Sequence, residues 1–169
     1  MRSRKKQKKM SITEKKYKKL ALQVSLTGLS FCCFDTLNKK ILSYNEVHFD
    51  TFHKATKIEE LFADAFSDFP ELKDTYDEIV VIHNNTLSTF VPTALFDPNY
   101  LGSYLQYNTK VFETDFFAYD TIANYEMNTV YIPYVNINNF FIDQFGSFDY
   151  KHANSILVTK ILKEKKNND

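Results

Sequence analysis

Leu20–Phe49 constrains this chain more than any other stretch. Leu20, Leu22, Val24 and Leu26 share one face, with Gln23 and Ser25 on the other. Period-two alternation is the pattern of a strand with one buried face. Thr27-Gly28 interrupts the run, and Leu29–Phe34 that follows is nearly all apolar and aromatic. Such a run predicts a strand buried on both sides. After a turn at Leu37-Asn38-Lys39-Lys40 the chain returns through Ile41–Phe49, with Ile41, Ser43, Asn45, Val47 and Phe49 on one side. Two tight turns between three strand-forming runs predict a three-stranded antiparallel meander that nucleates a sheet.

The rest of the chain alternates helix and strand signals. Ile58, Leu61, Phe62, Ala65 and Phe66 recur at helical spacing, with Thr56 as expected cap, Glu59 at its capping-box position and Phe69-Pro70 as the stop. Glu78–His83 reads as a buried strand, and Asn84-Asn85 as a turn. Leu87–Val91, Thr114–Asp120 and Asn128–Pro133 read as further strands. Asp97-Pro98 opens a helix carrying Tyr100, Leu101, Tyr104 and Leu105. Asn136 is expected to cap a helix closed by Gly146, and Asn154 another running to about Lys163. Phe148–Lys151 is a short strand. A meander followed by alternating helices and strands predicts an α/β domain with a mixed sheet and helices on both faces.

Charge divides the chain in two. Met1–Leu20 carries ten Lys/Arg and one acid, Glu14, whereas the remainder carries 11 Lys/Arg against 20 Asp/Glu, a net of −9. Residues 1–16 are expected to be a basic disordered tail, with Met10 as a second plausible start, and residues 17–165 a single domain. The tail is the part suited to phosphate contacts, and the acidic body argues against nucleic-acid binding by the folded part. No apolar run reaches the roughly 18–20 residues that span a bilayer. With no signal-peptide pattern either, the expected location is cytoplasmic.

Motifs with chemistry are sparse. With three glycines the chain holds neither GxxxxGK[ST] nor GxGxxG. Glu113, Asp115 and Asp120 are carboxylates close enough in sequence to consider for a divalent ion, although they bracket an aromatic strand where charged ends are ordinary. His83 ends a central strand beside Asn84 and Asn85, the best single position for polar function, while a turn-forming cluster is the plainer explanation. His48, His53 and His152 have no Cys or carboxylate at ligand spacing, and nothing marks Ser25, Thr27 or Ser30 as a nucleophile. Cys32 and Cys33, adjacent on a strand, point to opposite faces and read as small hydrophobes. Tyr100, Tyr104, Tyr107, Phe112, Phe116, Phe117 and Tyr119 form an aromatic belt with Lys110 as its lone cation. Stacking platforms for nucleic acid interleave aromatics with cations, so the belt reads as core or protein interface.

ALQVSLTGLSFCCFD, NNTLSTFVPTALFD, YLQYNT, ETDFFAYD and VYIPYVNINNFFIDQFGSFDYKH together resemble domain-of-unknown-function family 3822 of bacteroidetes. The resemblance covers about Ser11–Leu162. It implies an actin-like ATPase fold, of which this chain resembles the first of two ribonuclease-H-like halves, with the second half absent. In active actin-like proteins the first strand reads apolar-Asp-apolar-Gly. The Asp organises the metal, and the Gly lets the backbone approach a phosphate. Laid on Leu22–Ser25, these positions hold Gln23 and Ser25. Gln is a poor ligand for a hard cation, and Ser adds a Cβ. Gln23, Ser25, Thr27 and Gly28 therefore read as a degenerate phosphate hairpin, with no catalytic residue, metal or cofactor assigned. The implied role is a non-catalytic interaction or scaffold module, like the actin-like adaptors of pilus and secretion machines. The alternative is a nucleotide-binding ATPase whose second half is missing from this chain. A protein partner is expected. Self-association is expected through the helix holding Ile156, Leu157, Ile161 and Leu162, together with Phe140–Phe148.

Overall fold

A computed structural model describes residues 15–49 and 57–168. The basic residues 1–14 and the expected cap Thr56 lie outside the described residues. The meander forms as the alternation requires: β1 (Lys18–Ser25), β2 (Gly28–Asp35) and β3 (Lys40–His48) are consecutive antiparallel strands. The second turn is held by Asp35, whose Oδ1 accepts the Leu37 and Asn38 N–H groups, each at 2.9 Å. The Asn38 bonds, backbone and side chain, do most to stabilise the ionised carboxylate and hold its pKa below the usual range.

β4 (Glu78–His83) lies parallel to β1, and β8 (Asp149–His152) lies parallel to β4. The five-stranded mixed sheet has the order β3-β2-β1-β4-β8. The strand entry is pinned electrostatically. Asp77 accepts the Lys16 and Lys18 N–H groups, while Lys18 and Lys19 pair with Asp74 and Glu78, each at 2.6 Å.

One sheet face carries the core. Leu20, Leu22 and Val24 of β1 meet Leu29, Phe31 and Cys33 of β2 and Val81 of β4. Two helices close over them, α1 (Ile58–Asp68) through Phe62, Ala65 and Phe66, and α3 (Val135–Phe145) through Ile137 and Phe141. The helices meet through aromatic edges, with Phe62–Phe141 at 5.6 Å and 84° and Phe66–Phe140 at 5.2 Å and 88°. That edge-to-face geometry suits the ring quadrupole. The expectation that β2 is buried on both sides is corrected. Ser30, Cys32 and Phe34, on its other face, are only half-buried. Their neighbours across β3, Tyr44 and Ile41, are exposed.

The remaining strands do not join this sheet. β5 (Ser88–Pro92), β6 (Ala118–Ile122) and β7 (Met127–Tyr131) form a separate antiparallel sheet of order β5-β7-β6. β4 is flanked by β1 and β8, so β3 and β8 are the edges of the first sheet, and β5, β6 and β7 pair only with one another. β6 starts at Ala118 rather than at the expected Thr114. Phe112 N–H donates to the Asp115 carboxylate at 2.8 Å and Asp115 N–H donates to Phe112 O at 3.1 Å, which curls this segment into a turn. Between β5 and β6, Asp97 accepts the Asn99 N–H as expected, and α2 (Leu101–Leu105) follows.

Helix ends differ in detail. α1 begins with Lys57 at its cap and α3 with Tyr134 rather than Asn136. Gly146 closes α3 at φ 77°, its N–H donating to Ile142 O, as expected. α4 (Ala153–Asn168) is longer than expected. Asn154 is not its cap, because the Asn154 N–H donates to the ring Nδ1 of His152 at 3.1 Å. α4 packs against β6, β7 and β8, leaving Ile156, Leu157 and Ile161 at 39%, 56% and 54% exposure. Within Phe140–Phe148, Phe141 is buried and Phe140, Phe145 and Phe148 pack on the core, their rings completing the α1–α3 cluster, while Ile142 stays 51% exposed.

Candidate functional site

The turn between β1 and β2 brings Gln23, Ser25, Thr27 and Gly28 together around a 170 Å³ cavity. Alternation puts Gln23 and Ser25 on the face away from the core, and Gln23 is exposed. Ser25 organises the turn. Its Oγ accepts the Thr27 N–H at 3.2 Å, lies 3.1 Å from Thr27 Oγ1 and donates to Gly28 O at 3.2 Å. Gly28 is required by close approach, since a Cβ there would sit 2.5 Å from the Val47 carbonyl oxygen. Sequence reasoning missed three further lining residues, Glu46, His48 and Asn84. Register delivers them: Ser30 pairs with both Gln23 and Glu46, and Asn84 N–H donates to Val24 O at 2.9 Å. His48 Nε2 lies 3.6 Å from Glu46 Oε1.

A second polar cluster, buried, closes the ends of the parallel strands. His83 and His152 are register partners on β4 and β8, and both are fully buried. His83 Nδ1 accepts the Tyr134 N–H at 3.3 Å, so the proton resides on Nε2, which donates to Asn138 Oδ1 at 3.0 Å. His152 repeats the arrangement, with Nδ1 accepting from Asn154 and Nε2 donating to Asn85 Oδ1 at 3.2 Å. Burial pushes the His83 pKa down to about 4, opposed by Asn138 and reinforced by His152. Burial lowers His152 too, against the pull of Asp120. With every ring nitrogen occupied and no solvent contact, neither imidazole is placed to act as a base.

The same cluster joins the two sheets. Asp120 on β6 accepts from Tyr131 Oη, His152 N and Ser155 Oγ at 3.2, 2.8 and 2.6 Å. Asn85 Nδ2 donates to Ile132 O, and Asn154 Nδ2 to Ser88 Oγ, each at 2.9 Å. His152 had no ligand-spaced neighbour in sequence, and only strand register sets it beside His83. Burial and Asp120 together push the Tyr131 hydroxyl pKa up.

The other candidates disperse. Asp115 is committed to the Phe112 turn and Asp120 to the sheet junction. Among the described residues no group of three or more His, Cys, Asp or Glu is placed to hold a metal. Cys33 is buried with Sγ 3.0 Å from Tyr76 Oη, while Cys32 lies on the open face, its pKa raised by partial burial. His53 lies outside the described residues. No helix among the described residues is long and apolar enough to cross a membrane.

The profile of the family described as "Protein of unknown function (DUF3822)" matches residues 7–169. The chain belongs to the DUF3822 family. Its fold is also that of a Bacteroides thetaiotaomicron protein of unknown function with an actin-like ATPase fold. The two share 16% identity at a TM-score of 0.77, over 90% of this chain and 58% of that one. The DUF3822 chain thus spans 58% of that relative's length and shares its mixed-sheet fold. A second structure, the cytoplasmic domain of EpsL, an inner membrane component of the Vibrio cholerae type II secretion system, matches at 14% identity and TM-score 0.46. It covers 79% of this chain and 55% of that one, a likeness too loose to bear on role. No curated protein matches the chain.

Proposed function

We propose that this chain is the first half of an actin-like protein that has given up nucleotide chemistry and serves as a protein-interaction module in the cytoplasm. The carrying observation is Gln23, which stands exposed where an active actin-like strand would hold the metal-organising carboxylate. The surroundings support the same reading. Ser25 fills its own turn with hydrogen bonds, and Glu46 places a carboxylate in a cavity that a phosphate would need. At 170 Å³ that cavity falls below the roughly 300–1,000 Å³ of ordinary ligand pockets. Apolar side chains left exposed on α4 are of the kind that partner proteins cover.

Titration calorimetry with Mg-ATP tests the reading. The expected result is no affinity tighter than about millimolar and no hydrolysis, since Gln is a weak donor to a hard cation. Micromolar binding that Gln23→Ala abolishes would overturn it.

A further inference from the structure

A broad groove lies away from the hairpin, on the segment that joins β5 to β6. It encloses about 830 Å³ between α2 and the turn at Phe112–Asp115. Tyr100, Phe112 and Phe116 line it with 61%, 53% and 53% of their surfaces exposed. Phe117 packs against α2, where Gly102 admits it: a Cβ on that glycine would sit 3.1 Å from the Phe117 ring. The wall is braced, because Asp115 and Phe112 hold each other through two hydrogen bonds. Exposed rings on a braced wall can receive a partner without reorganising.

The charge of this segment selects the partner. Residues 84–133 carry Lys110 against Asp97, Glu113, Asp115, Asp120 and Glu126. Glu113 and Asp115 line the groove itself beside Lys110, a net of −1. Acidic walls repel phosphates, so the aromatic rings are not a nucleic-acid platform. Rings flanked by carboxylates bind cations on their faces. The molecule already makes one such contact, with Lys110 Nζ 4.9 Å from the centre of the Phe112 ring. Guanidinium groups do this better than ammonium groups, being planar and weakly hydrated.

We infer that this groove is a docking site for an extended, arginine-rich segment of a partner protein, stacked on Phe112 and Phe116 and paired with Glu113. The inference rests on the protein-binding reading above and names the partner's chemistry. It is independent of the nucleotide test and of α4, so its failure would leave that reading standing.

Fluorescence anisotropy with labelled octa-arginine, octa-lysine and oligothymidylate probes on the full chain decides it. Octa-arginine is expected to bind about threefold tighter than octa-lysine, and any oligothymidylate binding, which the basic residues 1–20 can supply, to be the same in wild type and in Phe112→Ala/Phe116→Ala. Phe112→Ala/Phe116→Ala keeps every charge and is expected to weaken octa-arginine binding about tenfold, at one cation–ring contact per side chain. Glu113→Gln is expected to weaken it about threefold. Both rings are largely exposed, so an unchanged thermal melt will show that the double variant is folded. Equal octa-arginine affinity in wild type and double variant would mean that the acidic surface alone attracts the peptide, and would overturn the inference. So would oligothymidylate binding that the double variant loses, or a wild-type dimer that the double variant loses, which would make a second copy the occupant.

Discussion

Acidification should strip stability from this protein well before its carboxylates titrate, and His83 should account for most of the effect. Buried between Asn138, the Tyr134 N–H, the Tyr150 ring and His152, its imidazole is held neutral with a pKa of about 4, against 6.5 for a free side chain. The folded value lies below the unfolded one, so the unfolded chain takes up the proton first. The contribution is complete above pH 6.5 and is lost as pH falls toward 4. A shift of this size corresponds to about 3 kcal/mol, at about 1.4 kcal/mol per pH unit. That is a large share of the roughly 5–15 kcal/mol that holds a domain together. His152 acts in the same direction, and charging either ring disfavours charging the other. Urea melts at a series of pH values from neutral down to about 4.5, on wild type and His83→Gln, give the measurement. At neutral pH the variant should be about 1–3 kcal/mol less stable, having lost a buried hydrogen bond. Its stability should fall less steeply with acid, and the two curves should converge at the acidic end. Parallel curves would refute the reasoning, because they would mean that His83 is charged or solvated in the folded state.

Two further outcomes are expected. Gly28→Ala places a methyl against the Val47 carbonyl and should cost about 1–3 kcal/mol in urea melts; an unchanged midpoint would show that the β1–β2 turn yields freely. Wild type should self-associate with rising concentration in sedimentation velocity, and Ile156→Lys/Ile161→Lys should remain monomeric; a wild type that stays monomeric would mean that the α4 stripe is tolerated in water.

The meander, the parallel strand at Glu78–His83 and the covering helices were legible in sequence because each depends on local periodicity. Alternating Leu20, Leu22 and Val24 need only one buried face to declare a strand, and Phe62, Ala65 and Phe66 need only helical spacing. That Gln23, Ser25, Thr27 and Gly28 lie together was legible for the same reason, since they fall within one short stretch. The resemblance to DUF3822 carried the actin-like fold further than periodicity could.

Tertiary structure decided what periodicity does not encode. Periodicity does not say whether β5, β6 and β7 extend the first sheet or form a second: they pair with one another, and β8, far later in the chain, takes the place beside β4. α4 turns Ser155, Val158 and Leu162 inward, with Ser155 and Asn154 bonded to Asp120 and Ser88, and leaves Ile156, Leu157 and Ile161 outside. His152 acquired its meaning only from register beside His83. Local pattern records how a segment can fold, but which distant segments share a hydrogen-bonding edge is a property of the whole chain.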